Sequence, residues 1–155
     1  MQIGKWIGMV ALVVSLVACG NDSALEPPTN QKNEKIDLAK ISTEQPVSQK
    51  PANEAKDLLS HYPEITKINA VNTNKVLLLT IEIEHMKRFK LADIRKELKK
   101  KMKKSFPDLK VELSTDKKIV IELEKLEKQI QENKLTKKEI KKEVKRLIEL
   151  SKEQT

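Results

Sequence analysis

This 155-residue chain is poor in cysteine, glycine and aromatic residues, and each shortage excludes a class of protein. A single cysteine rules out an intramolecular disulfide framework. All three glycines lie within the first 20 residues, so the rest of the chain can form no glycine-rich phosphate loop. Aromatic residues make up only 3% of the chain, which argues against a nucleic-acid partner because bases stack on aromatic rings.

The amino-terminal segment combines an early cation, an apolar run and the lone cysteine. Lys5 precedes apolar residues 6–17, which are too few for a bilayer span of about 20 residues. Residues 16–19 read Leu-Val-Ala-Cys and polar residues follow, as at the cleavage site of an exported protein. This pattern resembles a bacterial lipobox, which implies a diacylglycerol on the thiol of Cys19, cleavage before it and acylation of the new amino terminus. The alternative is an ordinary signal peptide or anchor with an unmodified thiol.

The sequence divides into three parts. Residues 1–18 form the predicted signal peptide, residues 19–52 the lipidated terminus with a disordered linker, and residues 53–155 the folded domain. The linker holds four of the six prolines among isolated apolar residues and shows no sustained period. As a flexible coil it would span about 30 Å root-mean-square, which would hold the domain off a membrane surface.

Hydrophobic periodicity predicts seven elements in the folded part. The strongest is a strand at residues 76–84, whose first half is apolar on both faces, as in a central strand. Residues 118–124 also alternate and could form a strand, but helical spacing continues to residue 130 and favours a helix. The predicted elements are helix 52–62, strand 64–71, strand 76–84, helix 88–104, strand 109–113, helix 117–132 and helix 136–151.

Short polar motifs predict where these elements begin and end. Asp116 is placed to cap the helix that follows it. Thr136 and Glu139 have the spacing of a capping box, after a break at residues 133–135. Residues 72–74 form a turn in which asparagine tolerates positive φ. The order α-β-β-α-β-α-α predicts an α+β fold, with a small three-stranded sheet covered on one face by helices.

Two stretches point to a known family. Residues 65–71 (Ile-Thr-Lys-Ile-Asn-Ala-Val) precede the apolar strand at residues 76–81, and residues 114–120 (Ser-Thr-Asp-Lys-Lys-Ile-Val) open a helix that breaks at residues 133–134. With the lipobox and the polar linker, this arrangement resembles the YhcN/YlaJ family of sporulation lipoproteins from endospore-forming bacteria. The resemblance implies a non-catalytic lipoprotein anchored at the outer face of the cytoplasmic or spore membrane. It implies a role in sporulation, germination or outgrowth, with no cofactor.

The predicted helix 88–104 is the candidate binding surface of an exported basic protein. It carries nine lysine and arginine side chains against Asp93 and Glu97. Each lysine near an anionic membrane contributes about 1 kcal/mol to binding. This supports a second hypothesis, a general cell-envelope lipoprotein that binds anionic lipid or wall polymer. An ordinary solvated face is the alternative, since the charges lie on several sides of the helix. The proposed binding residues are Arg95, Lys96, Lys99, Lys100, Lys103 and Lys104.

No residue pattern predicts catalysis or metal binding. His61 and His85 are far apart and have no ligand at metal-site spacing. Glu82 and Glu84 are expected on the solvent face of their strand, where a catalytic carboxylate pair would lack a cleft. The sequence therefore predicts no enzyme, no metal and no cofactor other than the covalent lipid on Cys19.

Overall fold

The computed structural model describes residues 40–41 and 46–153. The predicted signal peptide, Cys19 and most of the predicted linker lie outside these residues. The predicted α-β-β-α-β-α-α order and the three-stranded sheet are confirmed. The elements are α1 (Lys50–Leu59), β1 (Ile65–Asn72), β2 (Val76–Ile83), a 3₁₀ helix (His85–Lys90), α2 (Leu91–Ser105), β3 (Lys110–Ser114), α3 (Lys117–Gln131) and α4 (Lys137–Glu153).

The sheet has the order β1-β2-β3, so the most apolar strand lies in the centre. β1 pairs with β2 in antiparallel register, with Ile68 opposite Ile81 and Val71 opposite Leu78. β3 pairs with β2 in parallel, and α2 makes the crossover between them, as parallel strands require. The register of β1 shifts between Ile65 and Lys67. Because of that shift, Ile65 and Ile68 pack in the same apolar cluster although they are three residues apart.

Helices cover both faces of the sheet, whereas the sequence analysis predicted cover on one face. On one face, Leu77 and Leu79 of β2 pack in one apolar cluster with residues of α1 and α2. On the other face, Val71 and Leu78 pack in a second cluster with residues of α3 and α4. Because the first half of β2 is apolar at every position, both of its faces need cover.

Two helices, α1 and α2, start more than one residue away from their predicted positions. α1 begins at Lys50, and Ile41, Val47 and Gln49 are buried although they lie within the segment assigned to the linker. The helix predicted over residues 88–104 is a 3₁₀ helix followed by α2. Leu91 is the first residue after β2 that packs against the core, and the α-helix begins there.

Residues 117–131 form a helix, which settles the choice between helix and strand at residues 118–124. The Asp116 side chain caps it and accepts from the backbone N–H groups of Lys118 at 2.9 Å and Ile119 at 3.1 Å. At its end Asn133 adopts a φ of 55°, and the Lys134 N–H donates to the Gln129 carbonyl, as in a Schellman motif. The predicted cap at Asp116 and the break near residue 133 are therefore confirmed.

The loop residues before α4 and between β1 and β2 are held by threonine hydroxyls. The Glu139 carboxylate accepts from the Thr136 N–H at 2.8 Å, and the Glu139 N–H donates to the Thr136 hydroxyl, so the predicted capping box is confirmed. The Thr73 hydroxyl accepts from the N–H groups of Lys75 and Val76. This bonding sets the turn, and neither Asn72 nor Asn74 adopts the positive φ that the sequence analysis allowed there.

Candidate anionic-surface site

α2 has one buried side and an otherwise cationic surface. Leu98 and Met102 are fully buried against the sheet, because four-residue spacing places them on the same face of the helix. Among the outward residues, the Lys101 ammonium donates to the Tyr62 hydroxyl at 2.6 Å and lies 4.7 Å from the ring centroid. This cation–π contact joins α2 to the loop that follows α1.

The structure separates the six predicted binding residues into two groups. Arg95, Lys96 and Lys99 line one cleft, together with Asp93 and Glu112. The Lys99 ammonium lies 2.8 Å from the Glu112 carboxylate. Partial neutralisation by carboxylates therefore limits what this group offers to an anionic ligand.

The second group is exposed and closer to the carboxyl end of α2. It consists of Lys100, Lys103 and Lys104. Within the part of the chain that the structure describes, no carboxylate lies within 4.0 Å of these three ammonium groups. Of the predicted residues, this exposed group is the one suited to an extended anionic surface, and we call it the lysine triad.

Glu112 is the carboxylate that most affects the first group. Its partial burial raises its pKa, but hydrogen bonds from Lys99 and Lys110 and their positive charges outweigh this, so the pKa lies below its usual value. The carboxylate is therefore ionised at neutral pH and holds both lysines.

The 3₁₀ helix before α2 exposes two large apolar side chains that the sequence analysis did not single out. Met86 is 78% exposed and Phe89 is 80% exposed, and no residue of this helix is buried. Three cations, Lys87, Arg88 and Lys90, lie beside them in sequence. The sequence signal that could have found them is the position of Phe89, which falls outside the apolar stripe of Leu91, Ile94, Leu98 and Met102.

A second cationic feature is a groove at the end of the sheet beside α4. Its cavity of about 460 Å³ has an apolar floor that includes Val76, Val144 and Ile148. Lysines from the turn between β1 and β2, from β3 and from α4 surround this floor, and Glu149 is its acidic lining residue. This groove was missed because its lysines come from distant parts of the sequence. They are Lys75, Lys110, Lys137, Lys141, Lys145 and Lys152.

A buried ion pair joins α1 to α3 at β1. The Lys56 ammonium lies 2.6 Å from the Glu127 carboxylate, and both side chains are almost completely buried. The same carboxylate accepts from the Ala70 N–H at 2.6 Å. Burial raises the pKa of Glu127, and the charge and hydrogen bond of Lys56 oppose that rise. A perturbed carboxylate can mark an active site, but here its bonds tie together two helices and a strand.

Glu82 lies in a different environment from the open face predicted for it. It is half-buried and lines a cleft with Glu124 and Glu127, because α3 covers that face of the sheet. Glu84 lies beyond the end of β2 and is exposed. In residues 40–41 and 46–153, no three His, Cys, Asp or Glu side chains are grouped so that they could hold a metal ion.

Two further findings bear on membrane spans and on similarity to known proteins. No helix in the described ranges is both long enough and apolar enough to cross a membrane. Comparison with protein-family models, with curated proteins and with solved structures finds no match to this chain.

Proposed function

We propose that this chain is a lipid-anchored, non-catalytic lipoprotein whose α+β domain contacts an anionic surface next to the membrane. Cys19 carries the lipid, residues 19 to about 50 connect it to the domain, and the protein lies on the outer face of the cytoplasmic or spore membrane. The role in sporulation, germination or outgrowth rests on the resemblance to the YhcN/YlaJ family. The surface contact rests on the charges of α2.

The observation that carries the proposal is the exposed lysine triad. Its three ammonium groups project from one end of α2 and have no carboxylate of the described residues within 4.0 Å. At about 1 kcal/mol per lysine, the triad would contribute about 3 kcal/mol at an anionic bilayer. This corresponds to roughly a hundred-fold in affinity. A tether adds to the effect because it raises the effective concentration of the domain at the surface.

The developmental role is tested by immunoblotting fractions of growing cells and of purified spores. We expect the wild-type chain in the spore membrane fraction and its loss or release in a Cys19→Ala variant. Equal abundance in growing cells would contradict a sporulation role and favour the general cell-envelope lipoprotein. A Cys19→Ala chain that stays membrane-bound would overturn the lipid anchor.

The surface contact is tested with two charge-matched variants. One replaces the lysine triad with glutamate, and the control replaces Lys128, Lys134 and Lys138, which are exposed on α3, α4 and the loop between them. We expect only the triad variant to lose binding to anionic vesicles or wall preparations. Equal losses in both would show that net charge, and not this surface, governs binding.

A further inference from the structure

The 3₁₀ helix holds two large apolar side chains in solvent, where neither gains the free energy of burial. Met86 and Phe89 are the two most exposed large apolar side chains in the described part of the chain. A 3₁₀ helix has three residues per turn, so side chains three apart lie on the same side. Met86 and Phe89 therefore form one protruding apolar pair.

Cations surround this apolar pair. Lys87, Arg88 and Lys90 belong to the same short helix, and the Lys90 ammonium lies 5.6 Å from the centroid of the Phe89 ring. Over residues 85–105, the 3₁₀ helix and α2 carry ten lysine and arginine side chains against Asp93 and Glu97. A surface with this composition has electrostatic complementarity to an anionic one.

We propose that the 3₁₀ helix inserts Met86 and Phe89 into the interface of an anionic bilayer, with its three cations at the headgroups. This inference rests on the membrane anchoring proposed above, and it names the part of the domain that touches the lipid. A basic helical surface bearing exposed phenylalanine is the composition of segments that lie in a membrane interface. Protein interfaces also favour methionine, phenylalanine and arginine, but they are depleted in lysine, the commonest residue of the 3₁₀ helix and α2, so a protein partner fits less well.

The apolar and the cationic side chains contribute to membrane binding in ways that can be measured separately. Transfer of Met86 or Phe89 out of water favours binding by roughly ten-fold to a hundred-fold each if burial is complete. The cations act only where the surface is anionic, and their effect decays over about 10 Å at 0.1 M salt. Insertion should therefore depend on both anionic lipid and the two apolar side chains.

A single tryptophan reports insertion directly. Trp6 is the one tryptophan of the chain and lies in the predicted signal peptide, so the lipidated chain cut before Cys19 has none and a new one can be placed at a chosen site. Phe89→Trp places it on the 3₁₀ helix. Ile121→Trp is the matched control on α3, where Ile121 is 42% exposed. Both sites are open enough to accept the larger ring, and circular dichroism checks that each variant is folded.

The full lipidated chain is reconstituted into vesicles whose acyl chains carry bromine, a quencher of tryptophan fluorescence. In vesicles that contain phosphatidylglycerol, we expect the Phe89→Trp chain to be quenched and blue-shifted and the Ile121→Trp chain to be neither. In pure phosphatidylcholine, or with Lys87, Arg88 and Lys90 changed to glutamine, the quenching should fall at least several-fold. Equal quenching at both positions, or none at position 89, would overturn the proposal.

Flotation of the same vesicles separates this inference from the anchor. A chain that floats with position 89 unquenched keeps the anchor and overturns the insertion. A chain that does not float overturns the anchor on which both proposals depend. A blue shift at position 89 that appears only with added envelope protein would indicate a protein partner and overturn insertion into lipid.

Discussion

Replacing Lys56 with methionine should destabilise the domain strongly. Methionine keeps most of the apolar stem but removes the ammonium group 2.6 Å from Glu127. Removing one partner of a buried ion pair leaves the other charge uncompensated, which costs about 3–5 kcal/mol. A domain of this size has a free energy of unfolding of about 5–15 kcal/mol, so the loss would be a large part of the total.

The second variant, Lys56→Met with Glu127→Gln, should recover most of that loss. Glutamine has no charge to leave uncompensated, and its carbonyl oxygen can still accept from the Ala70 N–H. Urea unfolding followed by circular dichroism at 222 nm gives both free energies. If the double variant is as unstable as Lys56→Met alone, the loss comes from packing around residue 56, and the argument from charge is refuted.

The pH dependence of Lys56→Met provides an independent check. Burial already raises the pKa of Glu127 above its usual value, and removing Lys56 takes away the opposing charge, so the pKa should rise further. The folded state then binds a proton more tightly than the unfolded state, so stability falls as pH rises through that range. Relative to wild type, Lys56→Met should therefore be less destabilised at pH 5 than at pH 7. Carboxylates whose pKa is lowered, such as Glu112, do not affect the comparison between pH 5 and pH 7, because their contribution to the stability of the folded state is lost only at more acidic pH.

Three smaller changes test individual contacts by the same unfolding measurement. Gln49→Ala should cost about 1–3 kcal/mol for each backbone group it leaves unpaired. The buried Gln49 amide accepts from the Asn72 N–H and donates to the Asn72 carbonyl, and both bonds would be lost. A change below 0.5 kcal/mol, roughly a surface effect, would contradict this. Asp116→Ala should cost about 1 kcal/mol through loss of the cap of α3, whereas Asp116→Asn should cost less. Asn133→Ala should cost about 1 kcal/mol because of its φ of 55°, and Asn133→Gly should not; equal effects would argue against left-handed strain.

Much of the fold was predictable because it depends on short-range patterns. The alternation in β2, the helical spacing after residue 118 and the caps at Asp116 and Thr136 are each read within a few residues. The placement of the helices was predicted wrongly: they were expected on one face of the sheet, but they cover both. The all-apolar start of β2 indicated a central strand, but it did not say which helix would cover which face.

The site was less predictable because it depends on distances in space. Lysine enrichment identified α2, yet only the structure shows that Lys99 is held by Glu112 while the lysine triad is exposed. Met86 and Phe89 were missed since an apolar residue is by default expected in the core. The groove beside α4 brings together residues as distant as Lys75 and Lys152.

The bonds along β1 have a consequence for proteins crowded at a surface. β1 is an outer strand of the sheet, and its backbone groups at Ala70 and Asn72 are already bonded to Glu127 and Gln49. An outer strand with free groups can pair with the same strand of a neighbouring molecule and seed aggregation. Lipid anchoring would confine many copies to two dimensions, where such encounters are frequent. The side chains of Glu127 and Gln49 would therefore disfavour pairing between copies through this part of β1.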